Sequence, residues 1–227
     1  MPSIDPRIGP ALRTPQAAGI AGIVFSVLLI AAIVLIRVAV TADPGAWLTD
    51  ARLKGAVLVA LRLVPFAGIA FLWFIGVVRD RLGVHEDRFF VSVLLGSGLV
   101  LVALMFASVG IADSIISGLG ASPRVGQATD EWKLGSSLVH TLFAVYTIRM
   151  AAVFTISTAT VMLRPGLIPR WMGLSGYVVG ASLLLLSGYV PWVELLFPLW
   201  VLLVSAHILF VSFRPDIEPR ANTQTSG

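Results

Sequence analysis

The sequence contains no cysteine and few charged residues, and both shortages narrow what the chain can be. Without cysteine there is no disulfide framework, no thiolate metal site and no cysteine nucleophile. Lys, Arg, Asp and Glu make up 12% of the 227 residues, compared with about 25% in an ordinary soluble domain. Three histidines are present but no H-E-x-x-H motif, so a zinc protease site is not expected.

Signatures of phosphate and nucleic-acid binding are missing as well. There is no Walker motif, and several glycines fall inside apolar runs rather than after strands. The formal net charge is +4, but the basic residues stand between apolar blocks instead of forming one patch. The sequence therefore predicts no nucleic-acid partner, no bound metal and no cofactor.

What the chain does contain is long apolar stretches, with 57% hydrophobic residues and a mean hydropathy of +0.94. A bilayer span needs about 20 mostly apolar residues. Six segments meet or approach that length, so we predict an all-α bundle of six transmembrane helices. The predicted spans are 18–40, 55–78, 90–117, 137–163, 172–190 and 193–213. Residues 1–17 and 214–227 are polar and rich in proline, and we expect flexible tails there.

Lysine and arginine between the spans predict the orientation, because cytoplasmic loops carry an excess of both. One side collects nine of them: Arg7, Arg13, Arg79, Arg81, Arg88, Arg164, Arg170, Arg214 and Arg220. The other side collects four: Arg52, Lys54, Arg124 and Lys133. The count places both termini in the cytoplasm.

Several ionisable residues fall inside the predicted spans, where each costs about 2.5 to 3.5 kcal/mol at a helix centre. At 1.5 Å per residue, five of them are predicted in the outer half of the membrane: Arg37, Arg62, Asp113, His140 and Glu194. Arg62 and Asp113 match best in depth. Two interpretations stay open: ion pairs that orient the helices, or a polar pocket between helices 2, 3, 4 and 6 that opens outward.

Arg149 is different, because it lies about 12 residues from either end of the predicted fourth span and has no acidic residue at its depth. At 100° per residue His140 falls on the opposite helix face, whereas Tyr146 shares the face of Arg149. Helix 4 is then polar on two sides and is predicted at the bundle centre. Arg149 either extends toward Asp113 or helix carbonyls, or neutralises an anionic or carbonyl-bearing ligand such as a lipid headgroup or a quinone.

Residues 164–185 read RPGLIPRWMGLSGYVVGASLLL, a Pro-Arg-Trp turn followed by a glycine-rich apolar helix. This segment resembles part of small bacterial multi-pass membrane proteins that are grouped as domains of unknown function. The resemblance covers some 22 residues. It implies a multi-pass protein of a bacterial plasma membrane and carries over no activity. Gly176 and Gly180 form a G-x-x-x-G pair, which we expect to bring helices of the same chain together.

Three kinds of function remain open at this point. The first is an accessory subunit or a binder of a small amphipathic or anionic ligand, such as a lipid or quinone. The second is a small-solute transporter that uses Arg62, Asp113 and Arg149, and the third is a membrane-embedded enzyme. Because no reaction chemistry is recognisable, an enzyme is disfavoured. The expected partners are the lipid bilayer and either another membrane protein or further copies of the chain.

Overall fold

The computed structural model describes residues 14–41, 50–81, 88–120 and 130–212, and these residues form helices and turns without a β-strand. The helices are α1 (Thr14–Thr41), α2 (Ala51–Arg81), α3 (Arg88–Gly120), α4 (Asp130–His140), α5 (Ile148–Leu163), α6 (Arg170–Leu186) and α7 (Leu196–Ser212). A π-helical stretch, Thr141–Thr147, joins α4 to α5, and a 3₁₀ turn, Val193–Leu195, precedes α7. The predicted all-α class is confirmed.

Five helical stretches in the described residues are long and apolar enough to cross a bilayer. They are Gly19–Val40, Ala51–Arg79, Phe89–Gly118, Trp132–Leu163 and Val193–Ser212. The fifth predicted span, 172–190, corresponds to α6, whose 17 residues rise about 26 Å. The fourth apolar stretch begins at Trp132, earlier than the predicted residue 137, and α4 itself starts at Asp130. The predicted tails lie almost wholly outside the described residues. These helices indicate a multi-pass membrane protein.

The helices form a ring in chain order, in which α4, the π-helical stretch and α5 make one continuous segment. The other successive helices contact each other, and α7 contacts α1. Neighbours run antiparallel: in the α1–α7 pair, Gly19 lies against Leu209, and Gly22 lies against Ser205. One end of the ring carries Thr41, Ala51, Asp130 and Glu194, and we call it the Glu194 end. The opposite end carries Leu163, Arg164, Arg170 and Ser212, and we call it the Arg164 end.

Phenylalanines from α1, α2, α5 and α7 fill the middle of the ring. Phe71 is fully buried, and its ring centroid lies 4.5 Å from that of Phe25, 4.9 Å from Phe154 and 5.7 Å from Phe197. Phe74 adds a stacked ring at 6.1 Å. Tilted and edge-to-face arrangements at these distances are the favoured ones for aromatic pairs. This aromatic cluster joins four helices across the bundle axis.

Glycines let α6 approach α5 closely, as expected for packing within one chain. A Cβ atom at Gly176 would lie 2.8 Å from the Cβ of Ala159, and one at Gly180 would lie 2.5 Å from Ile156. A hydroxyl contact joins the same helices, since Thr160 Oγ1 and Tyr177 Oη are 2.9 Å apart. The α5–α6 pair is therefore fixed by small residues and one hydrogen bond.

Gly22→Ala tests the close approach of α1 to its neighbours. A Cβ at Gly22 would overlap Ser205 Oγ and would lie 2.8 Å from the Phe74 ring, so α1 must shift. We expect a loss of about 2 kcal/mol in unfolding free energy, measured by SDS titration in mixed micelles. Gly76→Ala is the control, because nothing lies within 4 Å of its Cβ position, and it should gain up to about 1 kcal/mol. Equal effects of the two substitutions would mean that α1 is not crowded at Gly22.

Candidate functional site

An ion pair joins α1 to the start of α7 at the Glu194 end. Arg37 Nη2 lies 2.7 Å from Glu194 Oε1, and it donates a hydrogen bond to that oxygen. The antiparallel contacts of Gly19 with Leu209 and of Gly22 with Ser205 set this pairing, because equal steps along the two helices carry α1 past the start of α7 to the level of the turn that contains Glu194. The side chain of Glu194 is 10% exposed and that of Arg37 is 31% exposed.

The backbone ahead of Glu194 is sharply turned. Gly188 has φ 84°, and Trp192 has φ 70°, a left-handed conformation that is uncommon for a residue other than glycine. The Trp192 ring in turn lies 5.8 Å from Arg37 Cζ, within range of a cation–π contact. Arg37 therefore contacts both the carboxylate and the indole of this turn, and it holds Glu194 at the rim of the bundle interior.

Glu194 also lines a small cavity inside the bundle. Oε2 is buried and has no hydrogen-bond partner among the described residues. The cavity is lined by α1, α3, the π-helical stretch, α5 and α7, and its lining is apolar except for Glu194 and Thr147. Phe197 of the aromatic cluster also lines it. Its enclosed space is about the size of one water molecule. The site thus offers a buried acceptor in apolar surroundings.

The π-helical stretch supplies one wall of this cavity through Phe143 and Thr147. Thr147 Oγ1 donates to the Leu142 carbonyl at 2.9 Å, and Ser187, just beyond α6, donates from Oγ to the Ala144 carbonyl. π-Helical turns are rare and are found frequently at functional sites. Here two carbonyls of the π-helical stretch accept hydrogen bonds from hydroxyl groups, one of its own Thr147 and one of the α6–α7 turn.

The structure does not form the predicted pair between Arg62 and Asp113. Contact of Gly68 with Phe106 sets α2 against α3 so that the two residues lie at similar height. Both side chains nevertheless face outward, and in the described part of the chain neither makes an ion pair or hydrogen bond. The pocket expected between the second, third, fourth and sixth predicted spans, which correspond to α2, α3, α4–α5 and α7, is therefore not built from these residues. The observed cavity lies farther inside the ring.

The predictions for the fourth span, which comprises α4, the π-helical stretch and α5, need correction. His140, Tyr146 and Arg149 are all exposed, and the intervening π-helical stretch departs from the 100° per residue on which opposite faces were predicted. The helix does have an extensive buried surface, but on α5 small residues such as Ala151, Ala152 and Thr155 supply it. α5 therefore packs into the bundle through small side chains. The prediction had instead placed this helix at the bundle centre because of polar residues on two of its faces.

Arg149 lies beside the last turn of α6. A Cβ at Gly180 would touch Ile156 and the Ala152 carbonyl, while Ser187 bonds to the Ala144 carbonyl. The stretch between these contacts, which includes Arg149, therefore runs along the end of α6. Counting residues from the ends of the predicted span put Arg149 near the bilayer midplane. The continuous helical segment from Asp130 to Leu163 is longer than a bilayer is thick, so the middle of this helix does not define the midplane.

Sequence reasoning found the two charged residues of the site but missed its other polar parts. Thr147 and Ser187 are ordinary hydroxyl residues in apolar or turn segments, and nothing in their spacing indicates a π-helix. Within the described residues, no three His, Asp or Glu side chains come together in a way that could hold a metal ion.

No family model, curated protein or solved structure matches the chain. The resemblance of residues 164–185 to bacterial multi-pass proteins therefore stays a prediction.

Proposed function

We propose that the protein crosses a bacterial plasma membrane six times, with both termini in the cytoplasm and the Glu194 end facing outward. Five helices have sufficient length, and α6 followed by the turn at 187–192 provides the remaining crossing, the fifth in chain order. The ring supports this, because α6 lies between α5 and α7 and contacts both of them. The excess of arginine in the loops at the Arg164 end agrees with this orientation.

In this membrane the protein serves as a binder of a neutral amphipathic molecule that carries a hydroxyl group. The observation that supports this function is the buried, unpartnered Oε2 of Glu194. A buried acceptor without a donor costs about 1 to 3 kcal/mol, so a ligand that donates a hydrogen bond there gains that amount. The apolar lining of the cavity suits the carbon atoms next to such a hydroxyl group.

Charge narrows the ligand class further. Arg37 is already bonded to Glu194 Oε1, so the pair is neutral and gives no net attraction for an anion. A cationic ligand would leave a net positive charge in apolar surroundings, which is costly. Because the cavity is small, only the hydroxyl end of an alcohol, phenol or quinol enters it, and the apolar body of the ligand stays outside the cavity.

Quinols and quinones provide a matched test, because the two have nearly the same shape while only the quinol donates hydrogen bonds. We expect a short-chain benzoquinol to bind about tenfold more tightly than its benzoquinone, since one buried acceptor is satisfied only by the quinol. Glu194→Gln should abolish the preference, because quinone carbonyls and quinol hydroxyls both accept hydrogen bonds. Its amide oxygen can stay on Arg37, and its NH₂ group then faces the cavity as a donor. Titration of tryptophan fluorescence under reducing and oxidising conditions measures both affinities.

Asp113→Asn is the control for this experiment, because it makes the same chemical change on an exposed carboxylate. It should leave the quinol preference as in the unmodified protein. Equal binding of quinol and quinone by the unmodified protein would contradict the proposal, and so would a Glu194→Gln variant that retains the quinol preference.

A further inference from the structure

Arg149 is an exposed cation that the cavity does not use. Among the residues described by the structure it makes no ion pair or hydrogen bond. Glu194 is bonded to Arg37. The contacts of Gly98 with Phe154 and of Gly135 with Ile115 set the height of α3, and they put Asp113 about 17 Å farther toward the Glu194 end than Arg149. Neither acid can therefore neutralise Arg149.

The position of α6 gives the depth of Arg149 in the bilayer. From Arg170 at the Arg164 end to Leu186 the helix rises about 24 Å, and Arg149 lies beside that last turn. The hydrocarbon core of a bilayer is about 30 Å thick. The contacts with Ala152 and Ala144 put Arg149 level with about Leu183, about 20 Å above Arg170. Arg149 is then about 10 Å from the headgroups at the Glu194 end, and its long side chain can extend toward them.

We propose that Arg149 binds the phosphate of an anionic phospholipid in the leaflet at the Glu194 end. The planar guanidinium forms paired hydrogen bonds with phosphate oxygens. Tyr146 is 50% exposed, precedes Arg149 by three residues along the chain and has the amphipathic ring typical of the headgroup region. This lipid site is on the outer surface, goes beyond the proposed amphiphile site, and does not depend on it.

The test uses the full-length protein in phosphatidylcholine nanodiscs that contain phosphatidylglycerol with a photoreactive headgroup. After illumination, mass spectrometry maps the lipid adducts along the chain. We expect an adduct at or next to Tyr146, and Arg149→Gln should lower its yield about fivefold. Arg149→Lys keeps the charge and should retain at least half of the yield. An unchanged yield with Arg149→Gln would overturn the proposal.

Arg79→Gln is the matched control, since it removes an exposed arginine from the Arg164 end of α2. It should leave the adduct at Tyr146 unchanged. An equal fall in both variants would show general attraction of lipid to a basic protein and would overturn the site. Quinol titration of the Arg149→Gln protein reports whether the interior is intact, so failure of the lipid site and failure of the amphiphile site are distinguishable.

Discussion

Phe71→Ala is expected to lower the free energy of unfolding by about 3 kcal/mol, the low end of the range for a buried phenylalanine. The ring is fully buried and lies within 6.1 Å, centroid to centroid, of four other phenylalanine rings. In a bilayer the helices gain little from leaving lipid, so their association depends on close packing. A void at Phe71 removes contacts from α1, α5 and α7 together.

Phe66→Ala is the matched control on the same helix, because the Phe66 side chain is 64% exposed. It should change the unfolding free energy by less than about 0.5 kcal/mol. SDS titration in mixed micelles, followed by tryptophan fluorescence, gives both values. Similar losses for the two variants would mean that the aromatic cluster does not form the interior of the bundle.

The helices could be predicted from the sequence because apolar length is a strong signal for a bilayer span. Five of the predicted spans correspond to helices of sufficient length. The start of the fourth helix was missed, since its first turns read DEWKLGSS and carry little hydropathy signal. Those turns extend the helix past the apolar segment, which a count of apolar residues cannot detect.

The candidate site was only partly predictable for a related reason. Counting residues from the span ends put Arg37 and Glu194 in one layer, because helix rise is constant. Which charges meet depends on which helices are neighbours, and the contact of α1 with α7 closes the ring between distant parts of the chain. Arg62 and Asp113 match in depth equally well, yet their side chains face outward.

The helical phase of this segment could not be predicted, because the backbone changes its register. The prediction that His140 and Arg149 lie on opposite faces assumed 100° per residue, and the π-helical stretch Thr141–Thr147 lies between them. The hydrogen bond from Ser187 to the Ala144 carbonyl comes from a turn 43 residues later in the chain. A tertiary contact of this kind has no local sequence signal.

Arg37→Met is expected to cost about 3 kcal/mol of unfolding free energy, because it leaves the carboxylate of Glu194 buried without its cation. Glu194 is 10% exposed at its side chain and has a second oxygen that already lacks a partner in the described residues. Glu194→Leu should cost less, about 1 kcal/mol, since the remaining arginine is 31% exposed and its charge can reach water.

The double variant Arg37→Met with Glu194→Leu separates the loss of the pair from the burial of a lone charge. Replacing both members of a buried ion pair with apolar residues is often nearly neutral, so the double variant should be more stable than Arg37→Met alone by about 2 kcal/mol. Arg62→Met, at an exposed arginine without an ion pair in the described chain, should change stability by less than about 0.5 kcal/mol. If the two single losses simply add in the double variant, then Arg37 and Glu194 are not coupled, and the carboxylate must be neutralised by another group.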